Sequence, residues 1–466
     1  VVVGPATVQR AIDARLNAGL GYRHYAAPVS NSTVGDLATS GFAPVVNPAY
    51  NTMSAPTQAL PFPTVLGYDD SRLGLPNAMS GFDKGFFSPA SPVENLAVGR
   101  GYTVNIGAGE LVDFQGTLTN GDQPLTLSST RPTYPDGGWQ LLGNPYPAPL
   151  DYSLVSAADR AGLEDAVYVY SSTSQYAGRY RAYVNGVGDP VLPVGQAYFA
   201  RVAAGLSTAT MTFRNSQRLT APSATTMQRT AAETRPLVQL TLQGVGSPLL
   251  DEATVYFEPG ATSGFEPAFD AEKLSNPTGL NLSISQGSRQ LSIDGQAELG
   301  ASPRVVPLAV RVPAAGSYTL TASQVLNLGA VPVYLRDWQL GTLTDLRQQP
   351  SYQFAVANAA ALSTTRFELV FSPQQPLAAV PTALARQVAV YPNPAKQQVT
   401  IDLPASLSYQ PTAMFLADAL GRVVRQQVLP AGPVTHTLPL ANVAPGVYFL
   451  HLTTELGAVV QKLVIE

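Results

Sequence analysis

The sequence predicts an all-β protein built from tandem β-sandwich domains. Charged residues make up only 12% of the 466 residues, about half of the share that is usual in soluble domains. Glycine and proline number 39 and 40, as expected for a chain with many turns. Short runs rich in valine, threonine and tyrosine alternate with these turn formers, which is typical of strands.

Composition excludes several classes of function. The chain has no cysteine and three scattered histidines, which excludes disulfides, thiolate metal sites and cysteine nucleophiles. A net charge of −4 predicts no nucleic-acid partner. Nucleophile-elbow, phosphate-loop and calcium-loop motifs are absent from the sequence. We therefore expect a protein that is not an enzyme, with no catalytic residue, no cofactor and no metal.

Export is a separate question. No apolar run reaches the roughly 18 residues that a membrane helix needs, so we expect no transmembrane segment. The first residues lack the basic and apolar regions of a signal peptide. Because residue 1 is Val rather than Met, a mature or truncated piece of an exported protein is favoured over a cytoplasmic protein.

Two polar segments, residues 215–236 and 372–385, are predicted to be linkers because they are rich in Pro, Thr, Ser and Ala and lack strand alternation. Together with the motifs below, they predict six segments: a remnant of a preceding β-solenoid, a β-rich domain, a linker, a β-sandwich domain, a second linker and an immunoglobulin-like domain. In the same order, these are residues 1–20, 21–214, 215–236, 237–371, 372–385 and 386–466.

The first block contains two pairs of similar sequence segments, which we call the echo. Residues 21–28 resemble residues 138–145, since each segment begins with Gly and an aromatic residue and ends in Pro. Residues 98–104 also resemble residues 194–200, since both segments begin with Val-Gly and have Tyr at the fifth position. The echo predicts that residues 21–214 hold two related β units, each opening and closing with a similar strand. Chance similarity is the alternative, because the intervening lengths differ.

The second block shows regular short strands. Val238, Leu240 and Leu242 alternate with polar residues. In residues 366–371, apolar residues at every second position place Phe367, Leu369 and Phe371 on one face. Such spacing predicts a β-sandwich. One helix is expected in the first block, at residues 153–164.

Few side chains suggest chemistry. Asp69 and Asp70 lie in a loop that either binds Ca²⁺ or forms a solvated turn, and we favour the turn. His24 is expected to be a structural or surface residue rather than a ligand. A tyrosine cluster either stacks on sugars or forms cross-strand pairs, of which we favour the pairs. The cluster consists of Tyr168, Tyr170, Tyr176, Tyr180 and Tyr183.

The third block is the most regular. Its seven short runs with turn residues between them predict a seven-stranded immunoglobulin-like sandwich. The predicted strands are residues 386–391, 397–403, 412–418, 422–429, 434–439, 446–453 and 457–465.

Motifs in this block resemble the type A C-terminal sorting domain of the type IX secretion system of Bacteroidota. They occur in the order and spacing of that family and reach the end of the chain. The matching sorting-motif residues are Tyr391, Pro392, Asn393, Pro394, Gly421, Arg422, Gly446, Tyr448, Lys462, Leu463 and Val464.

This resemblance implies export through the periplasm to the outer cell surface or the extracellular space. Its implied partners are the secretion machinery and a sortase-like protease that cuts near the start of the domain, in residues 372–385. Release, or attachment to a surface lipopolysaccharide, would follow. The upstream blocks resemble the C-terminal region of large Bacteroidota surface proteins, in which residues 1–20 would be the last rung of a solenoid.

The leading hypothesis is therefore a secreted or surface-displayed, non-enzymatic multidomain protein with a stalk, adhesive (adhesin) or scaffold role. The alternative is a carbohydrate-binding or hydrolase-associated protein whose enzymatic part is absent from this chain. A third hypothesis is self-association through exposed strand edges.

Overall fold

The computed structural model describes most of the chain. The described residues are 4–219, 233–300, 302–358, 362–372, 388–404, 412–418, 423–432, 434–441, 443–454 and 457–466. Most of both predicted linkers (215–236 and 372–385) lies outside these residues, and so do Gly421 and Arg422.

The chain forms two compact units, each of which is described by itself. The first unit comprises Val1–Gly300, Val305–Ala330 and Leu346–Thr365. The second unit comprises Ala301–Arg304, Val331–Asp345 and Arg366–Glu466.

Strands dominate the described residues, which confirms the all-β class. Those before residue 219 are β1 (Ala6–Arg10), β2 (Leu20–Tyr25), β3 (Val29–Ser30), β4 (Val65–Tyr68), β5 (Phe86–Phe87), β6 (Tyr102–Gly107), β7 (Val112–Leu118), β8 (Gln123–Ser128), β9 (Trp139–Gly143), β10 (Leu150–Asp151), β11 (Leu163–Ser172), β12 (Gly178–Val184), β13 (Val187–Gly188), β14 (Val191–Leu192), β15 (Ala197–Val202) and β16 (Thr208–Phe213).

The strands between residues 237 and 371 come next. They are β17 (Leu237–Gly244), β18 (Leu250–Phe257), β19 (Ala271–Glu272), β20 (Asn281–Gln286), β21 (Arg289–Gln296), β22 (Arg304–Arg311), β23 (Gly316–Leu326), β24 (Val333–Asp337), β25 (Thr342–Asp345), β26 (Ser351–Val356) and β27 (Ser363–Phe371).

The helix expected at residues 153–164 is wrong. This segment contains only a short 3₁₀ turn and irregular turns before β11 begins. The Asp151 carboxylate accepts a hydrogen bond from the Ser153 amide (2.9 Å) and holds the first turn, and Gly162 reverses the chain at φ +81°. The described helices are all short 3₁₀ turns: Val34–Leu37, Pro48–Asn51, Pro56–Gln58, Asp70–Gly74, Asp83–Gly85, Tyr152–Leu154 and Asn215–Gln217.

The first 219 residues fold into several small sheets. Their strand orders are β1–β7–β3, β2–β6–β4–β5, β13–β12–β11–β15–β9, β16–β8 and β10–β14. β1, which lies within the predicted solenoid remnant, pairs antiparallel with β7.

A larger sheet follows in the same unit. Its order is β22–β20–β21–β18–β17–β23–β26, and β18 and β21 run parallel. Val238, Leu240 and Leu242 are buried as their alternation predicts. One apolar core contains Trp139 and Phe199 from the first block together with side chains of the second block, such as Tyr256.

In the second unit, β24 pairs with β25 and β27. Phe367, Leu369 and Phe371 are buried on one face of β27, as predicted.

All seven strands predicted at the end of the chain are present. They are β28 (Ala389–Tyr391), β29 (Gln398–Asp402), β30 (Thr412–Asp418), β31 (Val423–Leu429), β32 (Thr435–Pro439), β33 (Gly446–Thr454) and β34 (Gly457–Ile465). They form two sheets, β28–β29–β32 and β31–β30–β33–β34, with a shared apolar core. The immunoglobulin-like and tandem-sandwich arrangements stay predictions.

In the part of the chain that the structure describes, no helix has the length and apolar character to span a membrane.

Candidate functional site

Two similar strand pairs lie at the centre of the first unit. β2 pairs antiparallel with β6, and β9 pairs antiparallel with β15. Tyr22 faces Asn105 in the first pair, and Trp139 faces Arg201 in the second. Tyr22 and Trp139 are equivalent in the echo, and Asn105 and Arg201 each follow it by one residue, so the two strand pairs share the same register.

Reciprocal hydrogen bonds join the two strand pairs. The Ala26 amide donates to the Gly195 carbonyl (2.9 Å), and the equivalent Gly143 amide donates to the Gly99 carbonyl (2.9 Å). Gly99 and Gly195 both take positive φ angles, +76° and +66°, which glycine adopts without a steric cost. Two isolated bridges repeat the exchange, Tyr25 with Gln196 and Leu142 with Arg100. The strand pairs therefore exchange equivalent contacts, which is the pattern of a local two-fold, and the duplication of residues 21–214 stays a prediction.

One face of these joined strands contributes to a cleft of about 810 Å³, which lies within the usual range of ligand sites, about 300–1,000 Å³. Tyr22, His24 and Thr103 come from the first strand pair, and Trp139 and Arg201 come from the second. Other lining residues come from the segments between the two strands of each pair, from the segment just before β9 and from residues 272–277. Among them are Tyr50, Phe62, Phe82, Asp83, Asp136, Tyr170, Tyr176, Tyr180, Glu272 and Lys273.

The tyrosine cluster is divided between pairing and the cleft. Tyr170 and Tyr180 face each other across β11 and β12, with ring centroids 5.0 Å apart, as the favoured interpretation predicts. Both also line the cleft together with Tyr176, whose side chain is 67% exposed. Tyr168 is buried against Trp139 (5.4 Å between ring centroids). Cross-strand pairing therefore positions aromatic rings beside the cleft.

His24 is a buried residue of the cleft floor. It stacks on Tyr170 (5.1 Å between ring centroids) and packs edge-on against Phe199 (5.6 Å). Burial, reinforced by the nearby Arg10 guanidinium, lowers the pKa of His24 to about 3, so the imidazole is neutral at ordinary pH. Its Nδ1 atom is buried without a hydrogen-bond partner among the described residues.

The cations at the cleft are paired with carboxylates. Arg201 forms an ion pair with Glu272 and lies over the Trp139 ring, 4.8 Å from its centroid. Its guanidinium also donates to the Gly137 carbonyl (2.8 Å). Lys273 Nζ lies 2.6 Å from the Asp251 carboxylate, and both side chains are at most 5% exposed. These contacts fix the cations as structural groups of the cleft wall.

Asp70 is not in a solvated turn, which corrects the favoured interpretation of the Asp69–Asp70 loop. Its side chain is buried, and its carboxylate accepts from the Thr130 amide (2.6 Å), the Thr130 hydroxyl (2.9 Å) and the Gly138 amide (2.8 Å). Asp69 instead accepts from the Ser71 amide at the start of a 3₁₀ turn. Among the described residues, no group of three or more His, Asp or Glu residues is placed to hold a metal ion.

Three of the predicted sorting residues, Asn393, Lys462 and Val464, are brought together in the last domain. The Asn393 side chain donates to the Lys462 carbonyl (2.8 Å) and accepts from the Val464 amide (2.9 Å). The following Ala395 continues this contact by donating to the Val464 carbonyl (2.8 Å). The first and last motifs, 69 to 71 positions apart in the sequence, therefore form one hydrogen-bonded element.

The other described sorting residues have structural contacts. Tyr391 donates to Asp402 (2.7 Å), and Tyr448 donates to the Ala444 carbonyl (2.7 Å) just before Gly446 begins β33. Leu463 is fully buried in the domain core. Pro392 and Pro394 flank Asn393 in an irregular segment.

Comparison with protein families decides the assignment of the larger part of the chain. Residues 4–371 match a family described as a domain of unknown function, DUF8693. The chain belongs to the DUF8693 family. The cleft and both strand pairs lie inside this matched region.

The DUF8693 region is followed by a match to the secretion system C-terminal sorting domain at residues 389–466. This match confirms the type IX sorting domain and an export destination at the cell surface or in the extracellular space.

Other comparisons add little to this assignment. No curated protein matches the chain. Latent PorU from Porphyromonas gingivalis is 11% identical over 50% of this chain and 30% of its own, with a TM-score of 0.14. A polysaccharide lyase is 7% identical over 50% of this chain and 40% of its own, with a TM-score of 0.19. The chain thus spans less than half of either protein, and both scores are too low to define a shared fold.

Sequence reasoning missed the cleft. Trp139 was visible only as part of the echo, and Arg201, Tyr50 and Phe62 carried no local signal. The equivalence of Tyr22 and Trp139 within the echo was the signal that could have located the cleft.

Proposed function

We propose that the DUF8693 region is a non-enzymatic module of a secreted or surface-displayed protein, with a stalk, adhesive or scaffold role. The sorting domain at residues 389–466 carries this proposal, because it marks the chain as cargo of a secretion system. The region upstream would then act outside the cell.

The use of buried carboxylates supports a non-enzymatic role. Asp70 accepts three hydrogen bonds from the protein itself. Glu164 is paired with the buried Arg131 (2.6 Å), and Asp251 is paired with Lys273. A catalytic acid or base must reach a substrate proton, whereas these groups are occupied by structural donors.

Export is tested by deleting residues 389–466 in the native host and following the DUF8693 region by immunoblotting. We expect the truncated protein to accumulate in the periplasm and the full chain to reach the surface or the medium. Surface delivery of the truncated protein would contradict the role of the sorting domain.

Processing is tested on the exported product of the full chain. We propose that a sortase-like protease cuts within residues 372–385, after which the product is released or attached to lipopolysaccharide. Mass spectrometry should find a C-terminus in this range. Intact residues 386–466 on the surface protein would overturn this proposal.

The stalk or adhesive role is tested by comparing surface attachment of cells that display the chain with that of cells lacking it. Loss of attachment in the deletion strain, restored by the full chain, is the expected result. Equal attachment of both strains, together with turnover of a substrate by the purified chain, would favour an enzyme.

A carbohydrate-binding protein is the second candidate, and the aromatic cleft is the observation that favours it. Exposed and half-buried aromatic rings around a large concave site are typical of ligand pockets. A glycan array probed with the purified full chain tests this candidate, and an array without any bound glycan would count against it.

A further inference from the structure

The rings at the cleft mouth are available to a ligand. Tyr176 is 67% exposed, and its ring centroid lies 6.4 Å from that of Tyr22 at an interplanar angle of 52°. Phe62 is 37% exposed and packs edge-on against Tyr50 (5.7 Å between centroids). Both ring pairs line the same cleft, so they offer two aromatic surfaces to one occupant.

The floor between these surfaces is rigidly held. Trp139 is 5% exposed and His24 is 4% exposed, and the tilted Tyr170–Tyr180 pair packs beside them. Because these side chains are fixed by core contacts, the cleft does not have to order them when a ligand binds.

The charges of the cleft select against an anionic ligand. Arg201 and Lys273 are paired with Glu272 and Asp251, so neither is free to neutralise a phosphate, sulfate or uronate. The Asp83 carboxylate lies at the same cleft and accepts from the Ser80 hydroxyl (2.6 Å). Asp136 adds an exposed carboxylate to the lining. Carboxylate oxygens accept hydrogen bonds from hydroxyl groups and repel negative charge.

We propose that this cleft binds a neutral oligosaccharide, whose sugar rings stack on Tyr176 and Tyr22 and whose hydroxyl groups donate to Asp83 and Asp136. The C–H faces of a pyranose ring are apolar enough to pack on an aromatic ring, while its hydroxyls require acceptors. The cleft supplies both kinds of surface. This inference rests on the carbohydrate-binding candidate and adds the charge class of the ligand and the residues that bind it.

The test uses isothermal titration calorimetry on the purified full chain. The probes are neutral hexasaccharides of glucose, mannose, xylose and galactose, with a galacturonate hexasaccharide as the anionic probe. We expect at least one neutral probe to bind and the galacturonate probe to bind at least tenfold more weakly.

Two variants locate the site. Tyr176→Ala should weaken binding of the neutral probe at least tenfold without lowering the melting temperature, because its side chain is largely exposed. Asp83→Asn should weaken binding to a smaller extent, about two- to fivefold, since the amide oxygen still accepts one hydrogen bond. Tyr134→Ala is the matched control, because Tyr134 is 39% exposed and does not line the cleft.

The outcomes separate the two levels of the proposal. Neutral probes that bind the Tyr176→Ala and Asp83→Asn variants as tightly as the wild type would overturn the cleft as the site and leave carbohydrate binding standing. Equal affinity for galacturonate would overturn the neutral ligand. Failure of every neutral probe to bind would overturn this inference, while export and surface display are judged by the sorting-domain deletion.

Discussion

The two strand pairs of the first unit share a backbone and differ in their side chains. Both have the same antiparallel register and a glycine with positive φ before the second strand. His24 in the first pair corresponds to Leu141 in the second, and Thr103 corresponds to Phe199. At these two positions the first pair carries polar side chains where the second pair carries apolar ones.

The inserted segments differ even more. Between its two strands the β2–β6 pair holds a series of 3₁₀ turns, whereas the β9–β15 pair holds the β11–β12 hairpin. The two insertions supply different aromatic side chains to the cleft, Tyr50 and Phe62 from the first and Tyr170 and Tyr180 from the second. One repeated frame with two unlike insertions is thus sufficient to produce an asymmetric site.

The largest effect is expected where the segment inserted between β2 and β6 anchors the start of β9. Asp70 belongs to the first insertion, and its carboxylate accepts from the Gly138 amide immediately before β9. Asp70→Ala would leave the Gly138 and Thr130 amides without their acceptor, which costs about 3 kcal/mol. Thermal melting of the variant should show a markedly lower transition temperature.

Asp69→Ala is the matched control, because the adjacent carboxylate only caps a 3₁₀ turn through the Ser71 amide. Loss of such a cap costs about 1 kcal/mol. If both alanine variants melted at the same temperature, the hydrogen bond from the Gly138 amide to Asp70 would contribute little to stability.

An intermediate effect is expected where the two strand pairs meet. Gly143 and Ala26 are equivalent residues in contact with each other, and a Cβ atom on Gly143 would lie 2.1 Å from the Ala26 Cβ. Gly143→Ala should destabilise the first unit by about 1–3 kcal/mol through overpacking. Denaturant unfolding measures this loss.

The swapped double variant sharpens the comparison. Adding Ala26→Gly to Gly143→Ala removes the clash and should restore most of the stability, since the two positions are related by the local two-fold. Gly109→Ala is the control, because a Cβ atom there meets nothing within 4 Å. A double variant no more stable than Gly143→Ala alone would contradict the proposed equivalence.

Local sequence patterns predicted the strands well, but they do not reveal contacts between residues that are distant in the sequence. The seven strands of the sorting domain follow from alternation such as Val399 and Ile401, which are both buried. The expected helix at 153–164 failed because apolar spacing alone does not reveal the Asp151 cap or the reversal at Gly162. The burial of Asp70 has no local signal, because its three donors come from residues 60 and 68 positions later.

The smallest effect at neutral pH, and the most specific, concerns His24 and its counterpart Leu141. The pKa of His24 is lowered to about 3 by burial, whereas an unfolded histidine titrates near 6.5. Between these values the unfolded chain binds one more proton than the folded chain, so the contribution of His24 to stability falls as the pH falls from about 6.5 towards 3.

His24→Leu should remove this acid sensitivity, and it also removes a buried nitrogen without a partner among the described residues. We therefore expect the free energy of unfolding to drop by about 2 kcal/mol less between pH 7 and pH 4.5 in the variant than in the wild type. The reverse substitution, Leu141→His, should create the same acid sensitivity in the second strand pair, and identical pH profiles for all three proteins would show that the difference between the two positions has no energetic consequence.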